Sequence, residues 1–84
     1  MGPIDAQARM MSLVVEFSRR HALSVREVEV LKHAACGRST KEIASCLHCS
    51  QSTVQTYWMR IVRKTRRSCR AQVIAGLLEL APNE

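Results

Sequence analysis

Apolar residues recur at three- and four-residue intervals along nearly the whole chain. Ala6, Met10, Leu13, Val14 and Phe17 mark one face of a first helix, from about Ile4 to Arg20, with Asp5 as its candidate cap. His21-Ala22 breaks the pattern. Ser24-Val25-Arg26-Glu27 then has the spacing of a capping box, in which a serine and a glutamate satisfy each other's free amides. Val28, Leu31, Ala34 and Ala35 carry that second helix to Gly37, which adopts the left-handed terminal conformation cheaply. Ser39-Thr40-Lys41-Glu42 is a second capping box, followed by Ile43, Ala44 and Leu47. After His48-Cys49, Ser50 caps a longer fourth helix running from Gln51 to Thr65 or Arg66. Its inward stripe is Val54, Trp58, Ile61 and Thr65, flanked by Tyr57 and Val62. A last helix spans about Arg70 to Leu80, ahead of Pro82. No segment alternates apolar and polar residues between hairpin turns, so the expected fold is all-α.

The central pair, a short helix and a longer one joined by a tight turn, has the proportions of a helix-turn-helix. In that motif the second helix enters the major groove of DNA and its N-terminal half meets the base edges. Here that half offers a polar face of Ser52, Gln55, Thr56 and Met59. A glutamine amide can pair bidentately with adenine, threonine can offer a methyl or a hydroxyl, and methionine makes only apolar contacts.

Charge sharpens this picture. The chain has 84 residues and a net charge of +6. Nearly all the excess lies in 50–70, where Arg60, Arg63, Lys64, Arg66, Arg67 and Arg70 face no acid. Uncompensated like charges at helical spacing repel one another, so an anionic partner is expected for this segment. A chain of this length buries only roughly 60% of its unfolded surface, too thin a core for a deep catalytic pocket. No paired-carboxylate, Ser/His/Asp or phosphate-loop constellation is present, and the acids read as solvated helix positions. The chain is therefore not expected to be an enzyme or to need a cofactor.

The early run Met10-Met11-Ser12-Leu13-Val14-Val15 stops at Glu16, too short to span a membrane and without a signal-peptide pattern. A cytoplasmic protein with no membrane partner is expected. Cys36, Cys46, Cys49 and Cys69 then read as reduced thiols. The spacings His33-x2-Cys36 and Cys46-x2-Cys49 could describe a zinc site, or a redox pair, but small-hydrophobe and surface roles are the expectation, with no metal.

The run Leu23-Ser24-Val25-Arg26-Glu27-Val28-Glu29-Val30-Leu31, then Ala34, Gly37, Ser39, Lys41-Glu42-Ile43-Ala44 and Leu47, resembles the LuxR/GerE/FixJ-type helix-turn-helix. Ser50, Thr53-Val54, Ile61, Lys64 and Arg70 continue the resemblance, which covers Leu23 to about Ala75. It implies a four-helix DNA-binding domain of bacterial transcription regulators that binds as a dimer. By position it implies base reading at Gln55, Thr56 and Met59, and phosphate contacts at Lys41, Thr53, Arg63 and Lys64. The helix cap at Ser50 and the basic edge at Arg60 and Arg67 are expected to join the phosphate set. The chain departs from the family pattern at Gln55 and Met59, where lysine or another polar group often stands, at Tyr57, at Thr65 in an inward position, at His48 in place of a turn glycine, and at Arg66-Arg67 in place of what is often a glycine and a hydrophobe.

Three regions follow: an N-terminal helical extension at 1–22, the helix-turn-helix domain at 23–81, and a tail at 82–84. The last helix is apolar on more than one face, through Val73, Ile74, Leu77 and Leu78. These four are expected to form a two-fold homodimer contact, unless the N-terminal helix covers the surplus. With no sensing domain visible, the leading expectation is a stand-alone, sequence-specific regulator of double-stranded DNA. RNA polymerase or another regulator is a further expected partner. The alternative is an interaction module of the same fold that modulates another regulator and reads DNA poorly.

Overall fold

The computed structural model describes residues 3–81, with side chains from residue 6 onward. Five helices follow one another: α1 (Pro3–Arg20), α2 (Val25–Ala35), α3 (Thr40–Cys46), α4 (Gln51–Thr65) and α5 (Arg70–Leu78). No strand occurs among the described residues.

The helix starts are locally encoded. Both capping boxes form: Ser24 N donates to Glu27 Oε1 at 2.9 Å and Glu27 N to Ser24 Oγ at 3.2 Å. Ser39 and Glu42 repeat the exchange at 2.8 and 3.2 Å. Ser50 Oγ accepts from Thr53 N at 3.1 Å. Asp5 is not a cap, because the helical backbone already includes it. The Cys69 side chain makes no capping bond at the start of α5.

The helix ends share one device. Ala22, Gly37, His48 and Arg66 all have positive φ, of 54°, 85°, 56° and 58°. At each, the next residue's amide reaches back five positions. Leu23 N donates to Ser18 O, Arg38 N to His33 O, Cys49 N to Ala44 O and Arg67 N to Val62 O, all within 3.2 Å. This is the double-bonded left-handed cap that satisfies the last carbonyls of a helix. α5 ends differently, and two residues earlier than the sequence pattern suggests. Leu80 N and Ala81 N bond back three residues, to Leu77 O and Leu78 O, tightening the final turn. Pro82 lies outside the described residues.

All five helices feed one core. It contains Val14 and Phe17 of α1, Val30 and Leu31 of α2, Ile43 and Ala44 of α3, Val54, Trp58 and Ile61 of α4, Val73 and Leu77 of α5, and Leu47 from the turn. α4 is central and touches α2, α3 and α5, while α1 closes the assembly by packing on α2 and α5. The helix expected as an extension at 1–22 therefore shares the interior of the domain. The tail at 82–84 lies outside the described residues. Thr65, an unexpected polar residue on the inward stripe, is buried and donates its hydroxyl to Ile61 O at 2.8 Å. That bond leaves no unsatisfied donor, and α4 ends at Thr65.

Candidate nucleic-acid interface

α3 and α4 are joined by a turn through His48, whose left-handed conformation redirects the chain. The burial of Val54, Trp58, Ile61 and Thr65 fixes the orientation of α4. The opposite face must then carry Ser52, Thr56, Met59 and Arg63, spaced i, i+4, i+7 and i+11. Gln55 and Arg60 border this stripe on its two sides, and all six residues are exposed. Met59 is 63% exposed, one of four large apolar side chains on the surface among the described residues. The Thr56 hydroxyl donates to Ser52 O at 3.1 Å, so its proton is already engaged. The Arg60 guanidinium lies 5.9 Å from the centre of the Tyr57 ring.

The structure divides the cations expected to hold phosphates. Arg60 and Arg63 project from α4, and Arg66 follows at its C-terminal cap, all exposed. None of the three has an ion pair among the described residues. Lys41 is exposed in the first turn of α3. Ser50 is exposed at the head of α4, and its Oγ lies 3.0 Å from Thr53 Oγ1.

Lys64 and Arg67 are placed otherwise. Lys64 Nζ donates to Glu27 Oε1 at 2.8 Å and to Ala22 O at 3.3 Å, so it ties α4 to the start of α2. Arg67 donates to Glu79 at 3.2 Å, and its guanidinium lies over Gly76. A Cβ at Gly76 would come within 2.7 Å of that guanidinium, so the glycine makes room for the arginine on α5. Both cations were expected on phosphates. Instead they are spent on intramolecular acids brought close by the tertiary fold.

Glu27 was expected among the solvated acids but is only 2% exposed. Burial pushes its carboxyl up. The Lys64 ammonium and the bonds from Ser24 outweigh that, leaving it below the usual glutamate value. The capping box gave a local reason for Glu27, and nothing in the sequence spacing announced a partner so distant in the chain. Arg70 forms a second concealed link. Its guanidinium sits 4.7 Å from the Trp58 ring and donates to Thr40 Oγ1 at 2.7 Å, joining α5, α4 and α3. Trp58 is buried, as its inward position predicts, and its Nε1 has no acceptor among the described residues.

The dimer expectation needs correcting at two of its four residues. Val73 and Leu77 are fully buried in the chain's own core, where α1 and α4 pack against α5. Ile74 is half-buried and Leu78 is 50% exposed, so these two remain on the outside. Cys36, Cys46 and Cys69 are exposed and Cys49 is half-buried. Among the described residues no group of three His, Cys, Asp or Glu could hold a metal ion. His33 Nδ1 instead accepts from Arg38 at 2.8 Å. Among those residues, too, no helix is long and apolar enough to cross a membrane.

A helix-turn-helix whose second helix turns a polar and then cationic face outward defines a DNA-binding module. The family model for bacterial regulatory proteins of the luxR family (GerE) matches residues 21–77, and the chain belongs to that family. This is a family of transcription regulators rather than of enzymes. A Mycobacterium tuberculosis protein named as a probable transcriptional regulatory protein, NarL, is 45% identical over 53 residues, which is 63% of this chain and 24% of that protein. YvfU of Bacillus subtilis, named an uncharacterized transcriptional regulatory protein, is 42% identical over 50 residues, 60% of this chain and 25% of its own. A Pseudomonas aeruginosa protein named as a candidate transcriptional regulator is 38% identical over 77 residues, 92% of this chain and 31% of its own. The chain thus spans about a quarter to a third of the length of these curated relatives. No solved structure matches it significantly.

Proposed function

We propose that this chain acts in the cytoplasm as a sequence-specific DNA-binding transcription regulator, with α4 lying in the major groove. Gln55, Thr56 and Met59 meet base edges. Lys41, Ser50, Thr53, Arg60 and Arg63 hold phosphates on either side. The observation that carries this reading is the outward face of α4, uncharged in its first turns and cationic afterwards, with no acid anywhere on the helix. Cations near phosphates release condensed counterions, so affinity must fall steeply with salt.

The domain works as a two-fold dimer in this reading. Ala71, Ile74, Ala75 and Leu78 form an i, i+3, i+4, i+7 stripe on the side of α5 facing away from the core. A second copy covers that stripe and sets the spacing of two half-sites.

A second reading is favoured by one observation, the exposed apolar surface of Met59 in the middle of the groove-facing stripe. In that reading the domain binds another regulator or RNA polymerase and discriminates poorly among DNA sequences. Anisotropy titrations with a random duplex pool across a salt series, with sequencing of the retained DNA, separate the two. A steep salt slope and an enriched two-fold motif support the regulator. Weak, motif-free binding supports the interaction module.

A further inference from the structure

The base-facing part of α4 lacks the side chains that read G·C pairs. Guanine is read in the major groove chiefly by arginine or lysine on O6 and N7, and cytosine by a carboxylate accepting from N4. The first two turns of α4 carry neither: no cation precedes Arg60, and the helix holds no acid. Arg60 borders the stripe and is drawn over the Tyr57 ring, 5.9 Å from its centre. Arg63 does lie on the outward stripe, but in the last turn, beyond the N-terminal half that enters the groove.

What the face does carry is matched to A·T pairs. Gln55 is exposed, and its amide fits the N7 acceptor and N6 donor of adenine. Met59 stands one turn further along the same side of the helix and is 63% exposed. An apolar side chain gains from only one major-groove feature, the thymine methyl. Thr56 has its hydroxyl proton engaged by Ser52 O at 3.1 Å, which leaves its methyl and an acceptor oxygen to offer a base, but no donor. Side chains at i and i+4 stand about 5–6 Å apart, and successive bases rise about 3.4 Å, so Gln55 and Met59 land within one or two base pairs of each other.

We infer that each half-site is read as a short A·T step, an adenine under Gln55 and a thymine methyl against Met59, with discrimination supplied by methyl burial and one amide rather than by charged contacts. This rests on the regulator reading above and specifies its DNA substrate. It also accounts for Met59 without invoking a protein partner, because the exposed thioether is covered when the groove closes on it.

The test uses the 84-residue chain, Met59→Ser and Gln55→Ala, all checked for helicity, which exposed positions should preserve. The motif selected from a random pool is expected to hold adjacent A·T pairs in each half-site. Replacing the thymines there with deoxyuridine removes only the methyl and should weaken binding about fourfold at the contacted position, the effect of burying one such group. Met59→Ser should abolish that sensitivity. Gln55→Ala should lower the preference for adenine at the neighbouring position by about tenfold.

A motif led by G·C pairs, or one indifferent to deoxyuridine, overturns the inference and leaves the regulator reading intact. So does an A·T preference that survives in both variants, which would come from duplex shape. Absence of salt-dependent binding to any duplex overturns the regulator reading itself, and this inference with it.

Discussion

Two neighbouring cations on α4, Arg63 and Lys64, look alike in the sequence and differ in the structure. Arg63 points outward on the exposed stripe of α4. Lys64 is held by Glu27 Oε1 and Ala22 O. Arg63→Ala is expected to weaken binding about equally on all sequences and to lower the salt slope by about one unit. Lys64→Met should leave the slope unchanged but destabilise the fold by about 1–3 kcal/mol. That is below the ~3–5 kcal/mol of a fully buried pair, since Lys64 keeps part of its side chain in water. Chemical denaturation and salt-series titration of the two variants distinguish the roles, and equal slope losses would return Lys64 to the phosphate set. The same ion pair makes stability sensitive to acid. The folded Glu27 carboxyl lies below its ordinary value, so its contribution is present above about pH 4.5 and is lost as pH falls through the lowered folded value.

The helices themselves were legible because their signals are local. Ser24-x-x-Glu27 and Ser39-x-x-Glu42 place α2 and α3 to the residue, and Ser50 places α4. The ends were read less well, because a left-handed cap has no dependable marker unless glycine occupies it. Gly37 advertised its conformation, and His48 and Arg66 did so by standing where the family pattern often has glycine, while Ala22 gave no such marker. A side chain with a Cβ pays about 1–2 kcal/mol in this region, partly offset by the entropy glycine loses on folding. Ala22→Gly and His48→Gly are therefore each expected to raise stability by about 0.5–1 kcal/mol. Thermal melts showing lower stability for both would mean that these side chains make stabilising contacts of their own. The α4 cap resists such simple exchange, because Arg66 adjoins Arg67, whose guanidinium is seated over Gly76.

For the whole molecule, the question is which apolar surface the chain covers with itself. α5 looks apolar on several faces in the sequence, and α1 resolves much of that surplus by packing against it. Val73 and Leu77 become core, leaving a narrower stripe around Ile74 and Leu78 on the outside, the surface proposed above to meet a second copy. Leu78→Asp is expected to yield a helical monomer in sedimentation, whereas Leu77→Asp should unfold the domain by placing an unpaired carboxylate in its interior. A Leu78→Asp variant that remains dimeric would refute this interface. The Pseudomonas aeruginosa relative, aligned over 77 residues, shows that the likeness runs beyond the 21–77 of the family match. That fits an α1 that shares the domain's core.

The sequence by itself determined the number of helices, the starts of α2, α3 and α4 and the inward stripe of α4, because caps and a 3.6-residue period act within a turn or two. It also determined the helix-turn-helix resemblance and the position of the polar face on α4. Only the tertiary structure decided which charges remain available to a partner. Glu27 and Lys64 are 37 residues apart, and Arg67 meets Glu79 only across the α4–α5 packing. It likewise decided which side of α5 stays open. Charge pairing and face burial depend on which helices touch, and that follows from packing the whole core rather than from any local run of residues.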